Sequence, residues 1–281
     1  MSGGLTKQGY RLGACGCLLS IAIAATTATE ARELKPATLK AYERYVAFTE
    51  ARLAAERAGP GPFLWIDRQP PAAREALVAR LRRGEIVTAR LEARDQGRPI
   101  DVDGGLIHHW IGTVLMPDVT VDRAVSLVQG YDDYPRVFGP MIQRARVLMH
   151  EGDHYVVAMR TSVRKVITVV MDIDYVVDYH RLSATRVWTT NVGTNMYQVE
   201  KPGTSEERRE PVERTSGLLW RFWMSCAFEQ QAADTLEQCE SITLTRGIPF
   251  GIAWFVRPFV TGLPREFMTF TLSRVRANVV Q

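Results

Sequence analysis

From Pro36 to Gly59, Leu39, Tyr42, Val46 and Leu53 fall on one stripe while Lys40, Glu43, Glu50 and Arg52 lie off it, the pattern of an amphipathic helix. Gly59-Pro60-Gly61-Pro62 ends it. A second short helix is predicted after FLWID, where Pro70 and Pro71 start the turn, Ala73, Leu77 and Leu81 repeat at intervals of four, and Gly84 supplies the stop. At Glu85 the period changes to two, in EIVTARLEA and again in GLIHHWIGTVLM, with a loop rich in Gly and Asp between them. Helical spacing returns over residues 119–131, where Thr120 is a natural N-cap for a stripe of Val121, Val125 and Val128. Tyr134-Pro135 should break that helix.

A run of strands follows. MIQRARVLMH and HYVVAMRTS flank the turn Glu151-Gly152-Asp153, and VRKVITVVMDIDYVV and SATRVWTTNV flank a turn expected at Asp178 to Arg181. Residues 200–216 are charged and broken by prolines, which predicts an exposed excursion. GLLWRFWMSCAFEQ and TLEQCESITLT then form a hairpin around Gln231 to Asp234. From Pro264 the stripe Met268, Leu272, Val275 and Val279 predicts a terminal amphipathic helix. Short turns between successive strands imply an antiparallel meander, so the class is α+β: a curved antiparallel sheet around a long C-terminal helix, preceded by a helical extension.

The N-terminus adds a different signal. Lys7 and Arg11 precede LGACGCLLSIAIAA, and small residues follow, with cleavage after Ala24, Ala28 or Ala31 all compatible. The apolar run is too short for a comfortable membrane span. The reading is a signal peptide over residues 1–31, a helical extension over 32–84, a ligand-binding domain over 85–281, and a protein that is periplasmic or secreted. A retained anchor is the other reading. Processing would remove Cys15 and Cys17 and leave one cysteine pair, Cys226 and Cys239, in an oxidising compartment. The net charge of +4 on 281 residues is small, and its arginines are scattered among acids, so a nucleic-acid partner is not expected.

The order of elements resembles the START-related superfamily, also called the polyketide cyclase and lipid-transfer, SRPBCC or helix-grip group. The resemblance is carried by HWIGTVLMPDVTVDRAVSLVQGYDDYPRVFGPMIQRARVL and by CESITLTRGIPFGIAWFVRPFVTGLPREFMTFTLSRVR. It covers residues 85–281 and is a matter of layout, similar in particular to exported bacterial members of the group. It implies an internal cavity for a lipid, sterol-like or polyketide-like molecule. No catalytic residue carries over, since the group shares none. The implied partner is a small apolar ligand, with transient membrane contact and no cofactor; the sequence singles out no protein partner.

Candidate lining residues are His109, Trp110, Tyr134, Trp188, Arg221, Trp223 and Glu240. His108 and His109 point to opposite faces of one strand, and neither HExxH nor Cys-x-x-Cys occurs, so no metal is expected. Arg221, Trp223 and Glu240 share a face of the last hairpin. If that face is concave they anchor a ligand; if convex, Arg221 and Glu240 are a solvated ion pair. His109 or Glu240 could serve as acid or base in a cyclase or dehydratase, whereas a carrier needs only the cavity. Asp172 and Asp174 share a strand face, either as an acid–base or cation pair or as ordinary solvated positions. A hairpin centred between Ala232 and Ala233 sets Cys226 opposite Cys239, in a non-hydrogen-bonded pair with a two-residue loop or a hydrogen-bonded pair with a four-residue loop. A disulfide is the expectation, against two reduced buried thiols.

Overall fold

The computed structural model describes residues 34–164, 168–215, 219–247 and 253–280, with side chains from Gly262 onward in the last stretch. The chain divides into two compact units, Met1–Glu33 and Leu34–Gln281, and every described residue belongs to the second. The expected signal segment, Cys15 and Cys17 included, lies outside the described residues.

Helix α1 (Pro36–Ala58) and helix α2 (Pro71–Arg82) follow the predicted bounds closely. The buried face of α1 differs from the apolar stripe, however: Thr38, Tyr42, Tyr45, Thr49 and Leu53 are buried, while Leu39 and Val46 lie at its flanks. The sheet face beneath this helix mixes Ile242, Leu244 and Trp223 with His109, Glu240 and Ser225, so residues that offer both a ring or methyl and a hydroxyl suit the interface. Thr38 Oγ1 donates to the Asp103 carbonyl at 2.6 Å, and the Tyr42 hydroxyl donates to the Ile242 carbonyl at 3.2 Å.

The strands are β1 (Val87–Arg90), β2 (Arg94–Asp95), β3 (Arg98–Pro99), β4 (Gly105–Met116), β5 (Ile142–Glu151), β6 (His154–Arg164), β7 (Thr168–Ser183), β8 (Arg186–Glu200), β9 (Arg208–Pro211), β10 (Leu219–Gln231) and β11 (Asp234–Arg246). Among the described residues, β2 and β3 form a small separate hairpin, and the rest join one antiparallel sheet in the order β1-β4-β11-β10-β8-β7-β6-β5, with β9 against β8. The expected turn at Asp178 to Arg181 is instead part of β7, which continues to Ser183, because Asp178 and His180 remain in register with Thr190 and Trp188. The polar excursion contributes the short strand β9.

Between β4 and β5, α3 (Val121–Gln129) is capped by Thr120, whose side chain accepts from the Arg123 amide. Tyr134-Pro135 does not simply end this helix: it opens a short second one, α4 (Tyr134–Val137), where proline in the first turn costs no backbone bond.

Helix α5 (Ala253–Val279) starts well before Pro264, which lies inside it without ending it. Its predicted stripe is the face that docks, with Met268, Leu272, Val275 and Val279 all buried. Gly112 in the middle of β4 makes this approach possible: a Cβ there would stand 2.6 Å from Met268 Cγ and 2.8 Å from Leu272 Cδ1. The architecture is thus α+β as expected from the sequence, a large curved antiparallel sheet with α5 in its concave face. On the convex face lie α1 and the segment from Phe63 to Leu81, whose Leu64, Ile66 and Leu81 pack with Ala227 and Leu236. Among the described residues no helix is long and apolar enough to cross a membrane.

The β10–β11 hairpin closes through the pair Gln231 and Asp234, with Cys226 facing Cys239. Its two-residue loop places Ala232 at φ 57°, a left-handed conformation that a Cβ disfavours by roughly 1 kcal/mol. Ala232 is exposed, so Ala232→Gly should raise stability by about 1 kcal/mol, read as a higher denaturant midpoint at unchanged m-value.

Candidate functional site

Period-two alternation along β10 and β11 assigns each side chain to one of two environments. Phe222, Met224, Cys226 and Phe228 of β10 and Glu237 and Cys239 of β11 face α5 and line a cavity of about 100 Å³. Its opposite wall is Phe267, Phe270, Thr271 and Val275 of α5, and its far end is closed by Tyr131, Tyr134 and Phe138 and by Tyr175 and Tyr179 of β7. A dry apolar cavity of about 150 Å³ accommodates benzene, so this smaller space sets a single ring or a short branched chain as the upper limit of what enters without side-chain movement.

Tyr131, Tyr134 and Tyr179 are held by hydrogen bonds, whereas Tyr175 packs edge-on against Phe222. Tyr131 and Tyr179 share a hydroxyl–hydroxyl hydrogen bond of 2.8 Å, and Tyr134 donates to the Val128 carbonyl at 2.7 Å. Burial pushes the phenols of Tyr134, Tyr175 and Tyr179 well above their ordinary range, so they are neutral donors at any physiological pH.

Glu237 is the one carboxyl in this lining, and it is 2% exposed. Cys239 Sγ lies 3.6 Å from its Oε1, while its Oε2 is buried with no hydrogen-bond partner. Burial pushes the Glu237 carboxyl up to about 8, so at pH 7 the acid is largely protonated inside an apolar space. Cys226 and Cys239 are joined as a disulfide across the hairpin, with Cα atoms 4.0 Å apart, and two bonded sulfurs leave Glu237 without thiolate neighbours to complete a metal site.

Of the residues expected to line the cavity, Tyr134 does so. His109, Trp188, Arg221, Trp223 and Glu240 project from the other face of the sheet, because they occupy the alternate positions of their strands. Trp110 points to the α5 side, by its alternation with His109, but lies outside the cavity lining.

Under α1 these convex-face residues form a polar network centred on Glu240 Oε1, with Glu240 Oε2 buried and unpaired. The Tyr45 hydroxyl accepts from the Ala93 amide at 2.7 Å and stands 3.0 Å from His109 Nδ1, while His109 Nε2 lies 2.6 Å from Glu240 Oε1. One arrangement satisfies all three: Tyr45 donates to Nδ1, and a neutral imidazole donates from Nε2 to Glu240. Arg52 of α1 also pairs with Glu240 and with Glu56. Burial opposes ionisation of Glu240, but the hydrogen bond from His109 and the charge of Arg52 outweigh it and hold the carboxyl below its ordinary range. Trp223 Nε1 donates to Glu50 at 2.9 Å, and Arg221 pairs with Glu213 at 2.7 Å, not with Glu240.

Trp188 carries a stack, with His180 on one side at 3.9 Å and the Arg57 guanidinium over its ring at 3.9 Å. Arg57 donates to Ser225 Oγ, and burial lowers it to about 10. A recess of about 330 Å³ opens beside this stack, lined by Arg57 itself and by the ion-paired Arg186 and Glu56, the first with Glu229 and the second with Arg52 and Arg68. Asp172 forms a two-pronged pair with Arg160, and Asp174 accepts from Asn195, so the two carboxylates have separate partners.

Sequence reasoning missed Glu237. The available signal was its place two residues before Cys239, hence on the same face as the cysteine pair.

The buried acid makes stability depend on pH. The unfolded chain loses the Glu237 proton near 4.5 and the folded chain near 8, so between these values the folded state binds more protons and stability falls as pH rises, levelling off above 8. Glu237→Gln removes this dependence. Its stability relative to the parent should improve by on the order of 3 kcal/mol between pH 4 and pH 7, measured by denaturant titration at both values.

No protein-family model and no curated protein matches the sequence. Solved structures with a similar layout include a fragment of a STAR-related lipid transfer protein from Xanthomonas axonopodis, at 13% identity and TM-score 0.45, covering 68% of this chain and 99% of that one. The Zhui aromatase/cyclase from Streptomyces sp. R1128 is similar at 12% identity and TM-score 0.42, with 62% and 94% covered. The lipid transfer and protein localization domain of human StarD13 is similar at 6% identity and TM-score 0.41, with 76% and 98% covered.

Proposed function

We propose that this protein is exported and binds a compact apolar ligand in the cavity between its sheet and α5. The observation that carries the reading is the cavity: aromatic and aliphatic side chains from β10 and α5 line it, tyrosine hydroxyls close one end, and one buried carboxyl faces inward. Burying a ring there removes it from water at roughly 25 cal/mol per Å² of apolar surface, which drives binding without any reaction. The bonded Cys226–Cys239 pair fits an oxidising compartment, and the charged start, apolar run and small-residue exit of residues 1–31 fit a processed export signal.

A cyclase or dehydratase activity is favoured by one feature, the protonated Glu237, which could give its proton to a bound hydroxyl oxygen as the C–O bond breaks and water leaves, its carboxylate then taking a proton from the neighbouring carbon as the double bond forms. His109 and Glu240, the acid–base candidates suggested by sequence, are sealed under α1 and away from the cavity.

Two measurements test the proposal. An environment-sensitive apolar fluorophore should bind the folded protein and be displaced by small aromatic molecules. Met224→Trp, which fills the lining, should weaken the probe about tenfold or more, whereas Trp188→Phe, on the other face, should leave it unchanged. Equal affinity in all three proteins would remove the cavity as the site. For export, the intact mass of the protein recovered from the periplasm or medium should lack residues 1 to about 28, and a periplasmic species that retains Met1 would overturn that part.

A further inference from the structure

The geometry points to Glu237 as the residue that selects the ligand: the cavity takes a one-ring or similarly compact apolar molecule bearing a single neutral hydroxyl or carbonyl, which pairs with the Glu237 carboxyl. This rests on the ligand-binding reading above and names the class of ligand.

Glu237 sits on β11 between the disulfide and the phenol cluster, is 2% exposed, and has an oxygen buried without a partner. A buried polar atom left unpaired costs about 1–3 kcal/mol, so Glu237 Oε2, which no protein group meets, carries an unmet demand for one hydrogen bond. A carboxyl meets it with either partner, donating its proton to a carbonyl or accepting from a hydroxyl. Of the other polar groups in the lining, Tyr131, Tyr134 and Tyr179 pair through their hydroxyls with each other or with the backbone, Asn191 donates to Thr189, and Tyr175, Thr161 and Thr271 carry no charge. No arginine, lysine or histidine occurs in the lining among the described residues. A ligand carboxylate would therefore be buried with no cation beside it, and both charges are excluded from such a site by desolvation. A ligand ammonium would have to ionise Glu237 and leave an ion pair in an apolar space, where desolvation offsets most of the attraction. A neutral oxygen function is the chemistry that remains.

The experiment compares benzene, phenol, benzoate and benzylammonium on the full chain by titration calorimetry or ligand-observed NMR at pH 7. Phenol should bind better than either ion. The phenol-to-benzene affinity ratio should fall about tenfold in Glu237→Leu, the loss of one hydrogen bond, and be largely restored in Glu237→Gln, which keeps a donor and an acceptor. Glu237→Met provides an unbranched apolar replacement should leucine disturb folding. If benzene binds but the ratio is unchanged in both apolar variants, or if benzoate or benzylammonium binds more tightly than phenol, the selective role of Glu237 is overturned while the cavity stands. If neither benzene nor phenol binds the parent protein, the ligand-binding reading falls as well.

Discussion

Strand β11 is buried from Thr235 to Thr245, yet its sequence, TLEQCESITLT, is mostly polar. A strand with helices on both faces has no water to fall back on, so each of its polar side chains needs a partner from the protein. The molecule is organised around meeting that demand. On the convex side Gln238 accepts from the Trp65 amide, and Glu240 is met by His109 and Arg52. On the concave side Thr235 donates to the Val119 carbonyl and Thr245 meets His108. The helical extension is therefore an integral cover for the sheet, because without α1 the His109–Glu240 pair would lose both Tyr45 and Arg52.

The same demand separates structure from chemistry. A buried charge that is surrounded by donors is costly to disturb, since removing one partner strands the others, and the His109–Glu240–Arg52 group is of this kind. Glu237 is the opposite case, an acid on the other face of the same strand, in an apolar lining that supplies no cation to it. The contrast explains why two glutamates three residues apart have opposite pKa displacements. Both keep one unpaired oxygen, but Oε2 of Glu240 lies under α1, and only Glu237 carries its unpaired oxygen on the cavity side of the strand.

Long elements were legible in the sequence because long periodic runs leave few alternatives. The α5 stripe, the span of β4 and the opposition of Cys226 and Cys239 follow from counting residues. Which face of the last hairpin lines the cavity was not legible, because β10 and β11 bury both faces and carry mixed polar and apolar residues on each, so alternation fixes the grouping but not its direction. Gln238 and Glu240 look as cavity-like as Glu237 until the helices are in place. The buried side of α1 was missed for a related reason: it presents tyrosine and threonine hydroxyls to a sheet face of mixed polarity, and hydropathy scoring ranks Leu39 and Val46 above them.

The strand order carries a consequence for how the chain reaches this state. β4, the first long strand, is neighboured by β11, the last, so Gly112 must find Cys239 across most of the domain. The meander from β5 to β8 can assemble from near neighbours, but the cavity has walls from both β11 and α5 and cannot exist until the C-terminal segment arrives. Contacts of such long sequence separation close slowly, because the loop entropy is lost before any burial repays it. The cavity thus requires the C-terminal segment in place, and without it Met116, Val114 and the apolar face of β4 are an open seam.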